Sequence, residues 1–184
     1  LLDYLCEKKT TVLIWAVSAL TMVSALGGFK YRIPSDVRKV MFSGEVMPAN
    51  QLACWQQALP EAEFVNLYGP TEITCNCTYF PVKGILREEE KLPIGKAFPG
   101  RRVFLLTEEG REIREPEKTG EICVAGESLS LGYYHNPTET RRRFRERKSP
   151  EGKEERYYRT GDLGFWGKDG NLYFSGRKDF QIKF

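Results

Sequence analysis

The pair Gly69-Pro70 interrupts an apolar segment of this 184-residue chain. The segment before it is apolar enough to form a β-strand. The pair ends the strand because proline has no ladder N–H and glycine permits unusual turn angles. The tight loop that follows presents the ring of Tyr68, the hydroxyl of Thr71 and the carboxylate of Glu72 within five residues. These groups suit a nucleoside triphosphate with Mg2+, although taken alone they are more typical of a capped turn that ends a strand.

The first half of the chain alternates between strand-like and helix-like segments. Short apolar runs predict three buried strands, at residues 11–15, 37–42 and 63–68. Helical patterns lie between them, at residues 18–26 and 48–59. We expect Ser18 to cap the first of these helices and the pair Gly27-Gly28 to end it. The order strand–helix–strand–helix–strand predicts an α/β fold with a parallel βαβαβ sheet, whose ligands bind at the carboxyl ends of the strands.

The alternation of strands and helices ends after a further predicted strand at residues 78–82. A charged, non-periodic connection follows, and we place a domain boundary there, between an α/β subdomain at 1–86 and a β-rich subdomain at 87–184. Six short strands are predicted in the second part, at residues 102–106, 121–125, 157–160, 164–166, 172–175 and 179–184. Asp169-Gly170 is a strong hairpin signal. This half is expected to form a small barrel-like or distorted β-sheet.

Composition narrows the range of partners. The chain is 41% hydrophobic and carries a net charge of only +3, which indicates a globular protein and argues against nucleic acid as the main partner. No apolar run reaches the roughly 18–20 residues that a membrane helix needs. The five cysteines are scattered without a CxxC pair, which favours a reducing, cytoplasmic location. Both ends resemble the interior of a longer sequence.

Two further segments carry charged side chains at positions that suit ligand binding. Asp162 follows Gly161 after a predicted strand, where its carboxylate is able to accept hydrogen bonds from two neighbouring hydroxyls such as those of a ribose; a plain turn is the alternative. Arg177, Asp179 and Lys183 fall on one face of an alternating strand. An anionic ligand, a mobile domain interface or a solvated edge strand would each account for that face.

Together these motifs resemble, in this order, those of the adenylate-forming (ANL) enzymes, which include peptide-synthetase adenylation domains and acyl-CoA ligases. The matching motifs lie at residues 42–45, 66–72, 120–126 with 131–134, 158–162 and 176–183. The last motif and the compact layout are most similar to D-alanine–D-alanyl carrier protein ligases, with peptide-synthetase modules close behind. The resemblance implies ATP and Mg2+ as cofactors, a small amino acid as substrate, a carrier protein with phosphopantetheine as partner and, for D-alanine, lipoteichoic acid biosynthesis.

The same resemblance implies a role for each matching residue. The nucleotide-binding residues would be Gly44, Glu45, Asn66, Leu67, Tyr68, Gly69, Pro70, Thr71, Asp162, Phe174 and Arg177. The acyl pocket would be lined by Met41, Ser43, Leu67, Cys75 and Asn76. The catalytic set would be Thr71, Glu72 and Lys183, with Glu72 holding Mg2+. Tyr68 would stack on adenine, Asp162 and Arg177 would hold the ribose hydroxyls, and Asp179 would be a hinge.

Three functions stay open at this point. The first is an amino-acid-activating ligase that passes its product to a carrier-protein thiol. The second is an acyl- or aryl-CoA ligase, and the third is a non-catalytic nucleotide-binding or scaffold domain. We expect the 184 residues to be the middle of an enzyme, without a phosphate loop or a lysine-bearing C-terminal domain, and unable to turn over alone. The adenylate-forming assignment requires Tyr68, Asp162 and Arg177 to converge on one cleft shaped for an adenosine.

Overall fold

The computed structural model describes residues 1–87, 90–149 and 152–178. The chain divides into two compact units. One comprises Leu1–Leu67 with Phe80–Leu92, and the other comprises Tyr68–Tyr79 with the described part of Pro93–Phe184. The subdomain boundary expected after residue 86 stays a prediction. Among the described residues, no helix combines the length and the apolar character needed to cross a membrane.

The first unit has an α/β fold. Its helices are α1 (Leu2–Glu7), α2 (Val17–Ala25), α3 (Gly28–Tyr31) and α4 (Ala49–Ala58). Its strands are β1 (Val12–Ala16), β2 (Lys39–Ser43) and β3 (Glu63–Tyr68), of which the last residue belongs to the second unit. Strand β2 pairs in parallel with β1 on one side and with β3 on the other. The predicted parallel βαβαβ arrangement is therefore confirmed.

Alternation along β2 creates the core of this unit. Val40 and Phe42 are fully buried, and they pack in one apolar cluster with Trp55 of α4. The indole N–H of Trp55 donates a hydrogen bond of 3.0 Å to the carbonyl of Leu20, which ties α4 to α2. This packing fixes the carboxyl ends of β2 and β3, the edge at which a parallel sheet binds its ligands.

One cap prediction is wrong and one helix end is confirmed. Helix α2 begins at Val17 with Ala16 as its N-cap, and no side chain caps it. Ser18 cannot cap the helix because β1 runs directly into α2, which leaves the serine inside the first turn. Gly27 follows the last turn in the left-handed region, with φ of 67°, as expected for a residue that ends a helix.

In its described residues, the second unit contains a 3-10 helix at Thr71–Ile73, one α-helix and antiparallel strands. Strand β4 (Thr78–Val82) starts in this unit, where its residue Thr78 pairs with β5 (Lys96–Ala97). The larger sheet is formed by β6 (Arg101–Leu106), β7 (Glu112–Ile113), β8 (Gly120–Gly126), β9 (Phe144–Lys148), β10 (Glu154–Trp166) and β11 (Leu172–Arg177). Helix α5 (Pro137–Arg143) precedes β9.

This larger sheet is open. Its strand order is β11-β10-β8-β6-β7, with β9 pairing beside β10. A barrel requires its two edge strands to pair with each other, and in the described residues β7 and β11 lie at opposite ends of the strand order. The alternative of a barrel-like subdomain is therefore corrected to an open antiparallel sheet.

Strand β10 is one long strand where the sequence predicted two short ones. Its pairing with β8 passes from Arg159 opposite Cys123 to Leu163 opposite Glu121, so three residues of β10 face one residue of β8. Such a bulge bends the strand and redirects its side chains without ending the pairing on either side. Gly161 provides the positive φ, 75°, that the bulge requires. The bulge places Asp162 at its end.

Candidate active site

Two side chains from distant parts of the sequence, those of Tyr68 and Arg177, contact the carboxylate of Asp162 in the second unit. The Tyr68 hydroxyl donates a hydrogen bond of 2.6 Å to Oδ2 of Asp162. Nη1 of Arg177 lies 2.7 Å from Oδ1 of the same carboxylate. The expected meeting of these three side chains is thus observed, while the nucleotide contacts assigned to them stay predictions.

Burial makes a charged partner for Asp162 necessary. The Asp162 side chain is 5% exposed and that of Arg177 is 16% exposed. A carboxylate removed from water at this depth requires a cation and hydrogen-bond donors, and it receives both here. A carboxylate has about four lone-pair positions, so two donors leave capacity for ribose hydroxyls.

The environment keeps Tyr68 protonated. Burial raises the pKa of the Tyr68 phenol well above its ordinary value, and the Asp162 carboxylate raises it further. The hydroxyl therefore acts as a donor throughout the physiological range. Because its hydrogen bond fixes the phenol, the ring of Tyr68 has a defined orientation with respect to the carboxylate.

A buried layer beneath Asp162 supports the bulge. Oγ1 of Thr160 accepts a 2.9 Å hydrogen bond from the Asp162 N–H and donates one of 2.7 Å to the Ile122 carbonyl. Oε1 of Glu121 accepts a 3.2 Å hydrogen bond from the N–H of Gly161, and its Oε2 pairs with the Arg159 guanidinium.

Sequence reasoning gave no role to Thr160, Glu121 or Arg159. All three lie inside the recognised motifs. The signal that would have found them is the conflict between a buried strand position and a charged or hydroxyl side chain, which is resolved only by a partner.

Gly69 makes a tight closure of the next loop possible. An added Cβ at Gly69 would lie 2.6 Å from Cα of Asn76 and 2.6 Å from the carbonyl oxygen of Cys75. The N–H of Cys77 donates a 2.7 Å hydrogen bond to the Tyr68 carbonyl, which closes the loop at its base. Backbone atoms cannot move aside as a flexible side chain can. Gly69 is therefore required by close approach.

Strain accompanies this closure. Thr74 and Cys75 both lie in the left-handed region, with φ of 59° and 76°. Non-glycine residues in that region are uncommon, and they concentrate at ligand-binding sites where the surrounding structure holds them. Oγ1 of Thr74 donates a hydrogen bond of 2.8 Å to the Ser128 carbonyl, which helps to hold this conformation.

Glu72 is held on both its backbone and its side chain. It lies in the 3-10 helix, where its carbonyl accepts a 2.8 Å hydrogen bond from the N–H of Ser130. The Tyr133 hydroxyl donates a hydrogen bond of 2.5 Å to Oε1 of Glu72, and it lies 3.1 Å from the Tyr158 hydroxyl. Both tyrosines lie in the matching sequence motifs, and the resemblance implies a role for neither of them.

The donor set around Glu72 fits Mg2+. In residues 1–87, 90–149 and 152–178, no group of three or more His, Cys, Asp or Glu side chains could hold a metal ion. Mg2+ rarely uses such a closed cage, since it keeps several waters and binds through one or two carboxylates with substrate phosphates. A single half-buried carboxylate is consistent with that mode of binding.

The other predicted residues of the second unit are in varied environments. Thr71 and Cys75 are exposed, and Pro70 and Asn76 are half-buried. Phe174 is half-buried and packs against the apolar cluster of the sheet, as Tyr68 does. Lys183 and Asp179 lie outside the described residues.

The remaining predicted residues belong to the first unit. Met41 and Ser43 are half-buried on β2, and Gly44 and Glu45 are exposed after it. Asn66 and Leu67 are buried at the end of β3, where Asn66 pairs with Phe42 of β2. The carboxyl ends of β2 and β3 thus carry these residues, as the sheet pattern predicts. Their part in nucleotide or substrate binding stays a prediction.

The comparison with protein families identifies the class. Residues 1–134 match the family model described as AMP-binding enzyme, and this chain belongs to that family. The D-alanine–D-alanyl carrier protein ligase of Bacillus velezensis is 35% identical over 184 residues, which are all of this chain and 35% of that protein. The chain thus spans about a third of the length of that ligase.

Solved structures agree with this assignment. Holo-PA1221, an NRPS protein containing adenylation and PCP domains, matches with a TM-score of 0.88 and 33% identity over 96% of this chain and 30% of the other. The adenylation domain AlmE of Vibrio cholerae, in complex with glycyl-adenosine-5'-phosphate, matches with a TM-score of 0.83 and 25% identity. That match covers 98% of this chain and 34% of AlmE.

Proposed function

We propose that the protein containing this chain activates an amino acid by ATP-dependent adenylation and transfers it to the phosphopantetheine thiol of a carrier protein. D-alanine is the amino acid that we expect. The observation that carries the proposal is the pairing of Asp162 with both Tyr68 and Arg177. Because the chain spans about a third of its ligase relative, the activity is that of the whole protein.

The paired carboxylate suits an adenosine. Asp162 retains acceptor capacity for the two ribose hydroxyls, and Arg177 neutralises its charge before the nucleotide arrives. The ring of Tyr68 offers a surface for the base, a contact that contributes about 1–3 kcal/mol in other nucleotide complexes. In this proposal Phe174 packs nearby, and the Gly44-Glu45 backbone and Asn66 read the adenine edge.

The proposed reaction needs positioning more than covalent help. An oxygen of the substrate carboxylate attacks the α-phosphorus of ATP, the bond from that phosphorus to the bridging oxygen breaks, and pyrophosphate leaves with the electron pair. Mg2+, held by Glu72, would neutralise phosphate charge as pyrophosphate departs. Thr71 and the adjoining loop would orient the α-phosphate, and Lys183 is assigned to the same chemistry.

Side-chain size supports a small substrate. Met41 and Leu67, two of the five residues assigned to the acyl pocket, are bulky, and Leu67 is only 8% exposed. The relatives point the same way, since one is named for D-alanine and AlmE was solved with glycyl-adenosine-5'-phosphate. A carrier protein as acceptor is consistent with PA1221, which contains both adenylation and PCP domains.

Exchange of labelled pyrophosphate into ATP tests the proposal on the full-length protein. We expect exchange with D-alanine, less with glycine or L-alanine, and none with benzoate or a medium-chain fatty acid. Glu72→Gln and Asp162→Asn should each abolish exchange, while Glu108→Gln, at an 83% exposed carboxylate, should not. Exchange driven by an aryl or fatty acid and not by an amino acid would overturn the amino-acid assignment, and transfer of that acid to coenzyme A would then establish an acyl-CoA ligase. Exchange that survives both site substitutions would refute the proposed site.

A further inference from the structure

The Glu72 loop is fastened to one neighbouring segment at three points. We name residues 128–133 the tether segment. The N–H of Ser130 donates to the Glu72 carbonyl at 2.8 Å, and the carbonyl of Ser128 accepts from Oγ1 of Thr74, also at 2.8 Å. The Tyr133 hydroxyl donates to the Glu72 carboxylate at 2.5 Å. The tether segment therefore holds the main chain and the side chain of Glu72 together.

We propose that Tyr133 is a positioning residue that sets the affinity of Glu72 for the divalent cation, and that Tyr158 acts through it. This inference rests on the proposed function, in which Glu72 binds Mg2+. It assigns a task to two hydroxyl groups that the proposed adenylation chemistry does not use.

The direction of the hydrogen bonds follows from the chemistry of the groups. A carboxylate only accepts, so the single hydroxyl proton of Tyr133 points to Glu72. In the 3.1 Å contact between Tyr133 and Tyr158, this assignment leaves the Tyr158 hydroxyl as the donor. The result is a relay from Tyr158 to Tyr133 to Glu72, in which each hydrogen bond polarises the next.

Packing makes the relay rigid. Tyr158 is 4% exposed within the apolar cluster of the sheet. The ring of Phe144 contacts both tyrosine rings, with centroid distances of 5.8 Å to Tyr133 and 5.0 Å to Tyr158. Rings confined in this way hold their hydroxyl groups in place, so the carboxylate is oriented before a cation arrives.

Arg156 holds the backbone of the tether segment through two hydrogen bonds. Its Nη1 donates to the Ser130 carbonyl at 2.7 Å, and its Nη2 donates to the Leu131 carbonyl at 2.8 Å. The same guanidinium lies 4.4 Å from the centroid of the Phe144 ring. One arginine thus joins the backbone of the tether segment to the ring that packs against the relay.

This arrangement matters because orientation controls metal affinity. A free glutamate side chain samples several rotamers, and a cation must select the one that suits its own coordination. Because Tyr133 holds Oε1, the Glu72 side chain already occupies one rotamer before the cation binds. Groups that orient a metal ligand through a hydrogen bond typically change metal affinity by about 10- to 100-fold when they are removed.

The decisive variant is Tyr133→Phe in the full-length protein. We expect the Mg2+ concentration for half-maximal pyrophosphate exchange to rise about tenfold, with the rate at saturating Mg2+ largely retained. Mn2+ binding followed by electron paramagnetic resonance, with a non-reactive ATP analogue present, should weaken by the same factor. Tyr134→Phe is the matched control, because Tyr134 is the next residue in the sequence and is 92% exposed. This substitution should leave both measurements and the melting temperature unchanged.

Tyr158→Phe tests the relay itself. Alone it should weaken Mn2+ binding less than Tyr133→Phe does, and it should add little in the Tyr133→Phe background, because both hydroxyls act through one hydrogen bond. Additive effects in the double variant would overturn the relay. Unchanged or tighter Mn2+ binding in Tyr133→Phe would overturn the positioning role.

Glu72→Gln separates the two proposals. If this substitution abolishes Mn2+ binding while Tyr133→Phe has no effect, the positioning role fails and the proposed function stands. If Glu72→Gln leaves Mn2+ binding intact, the metal assignment of the proposed function fails and the positioning role falls with it.

Discussion

Oη of Tyr68 lies 2.6 Å from Oδ2 of Asp162, although the two residues are 94 positions apart in the sequence. The first ends strand β3, and the second ends the bulge of β10. Arg177 completes the group from the end of β11, as the partner of Asp162 in the strand register. One buried carboxylate therefore joins three strand positions, and the stability of this part of the molecule is coupled to the integrity of its site.

The substitution Tyr68→Phe should separate the contribution of Tyr68 to stability from its contribution to ATP binding. It removes a hydrogen bond to a charged, buried acceptor, so we expect the free energy of unfolding to fall by about 2 kcal/mol. The ring remains, so the KM for ATP should rise much less than in Tyr68→Ala, which loses base stacking worth about 1–3 kcal/mol. Urea unfolding and pyrophosphate exchange on the full-length protein measure the two effects.

A matched control exists at the surface. Tyr31 donates a 3.1 Å hydrogen bond to Asp3, and the Tyr31 side chain is 73% exposed. Water replaces that hydrogen bond when it is lost, so Tyr31→Phe should change the free energy of unfolding by less than about 0.5 kcal/mol. Equal effects of Tyr68→Phe and Tyr31→Phe would contradict a structural role for the buried pair.

Local patterns were sufficient to predict the parallel strands, whereas the meeting of Tyr68 with Asp162 was implied by the resemblance to adenylate-forming enzymes. Apolar runs and glycine signals depend on near neighbours in the sequence, and the order of motifs carried the long-range information. The cap at Ser18 was predicted wrongly because the rule assumes a turn between strand and helix, and here β1 joins α2 without one.

The supporting layer could not be predicted from sequence in the same way. Whether Tyr133 reaches Glu72, 61 positions away, depends on how the tether segment lies beside the 3-10 helix. The continuity of β10 depends on how the bulge at Gly161 pairs with β8, which a glycine in the sequence does not reveal by itself. Both features are set by tertiary contacts, to which strand periodicity is insensitive.

Gly69→Ala should weaken nucleotide binding more than the addition of one methyl group would suggest. The added methyl group would meet backbone atoms of residues 75–77 at 2.6–2.7 Å, so the loop must open. Overpacking of this kind costs about 1–3 kcal/mol, and we expect the KM for ATP to rise together with a lower melting temperature. Thermal unfolding and the ATP dependence of exchange on the full-length protein give both values.

Gly110→Ala is the control for replacing a glycine where the added methyl group meets no other atom. Gly110 has a φ of 82° but nothing within 4 Å of an added Cβ, so alanine there brings backbone strain without a collision. It should lower the melting temperature through strain of about 1–2 kcal/mol and leave the KM for ATP unchanged. A rise in KM in Gly110→Ala as large as that in Gly69→Ala would show that the effect is not specific to the loop.

Two buried thiols should make the protein less stable in alkali. Burial raises the pKa of Cys77 from 9.0 to about 12, and burial with the nearby Glu121 charge raises that of Cys123. Their contribution is fully present well below pH 9, where the thiols are neutral in both the folded and the unfolded state. Above it only the unfolded chain releases protons, so the contribution is lost progressively as pH rises towards the folded pKa values.

Each thiol should lower the free energy of unfolding by about 1 kcal/mol between about pH 9 and 10. Buried tyrosines with raised pKa values begin to contribute in the same range, and they contribute equally in each cysteine variant. Cys77→Ala should therefore roughly halve the part of the pH dependence that comes from the two thiols, in addition to a constant loss from packing. Cys54→Ala, at an exposed thiol, should keep the full dependence. Urea unfolding at several pH values measures this, and an unchanged slope in Cys77→Ala would mean that the Cys77 thiol ionises as readily in the folded protein as in the unfolded chain.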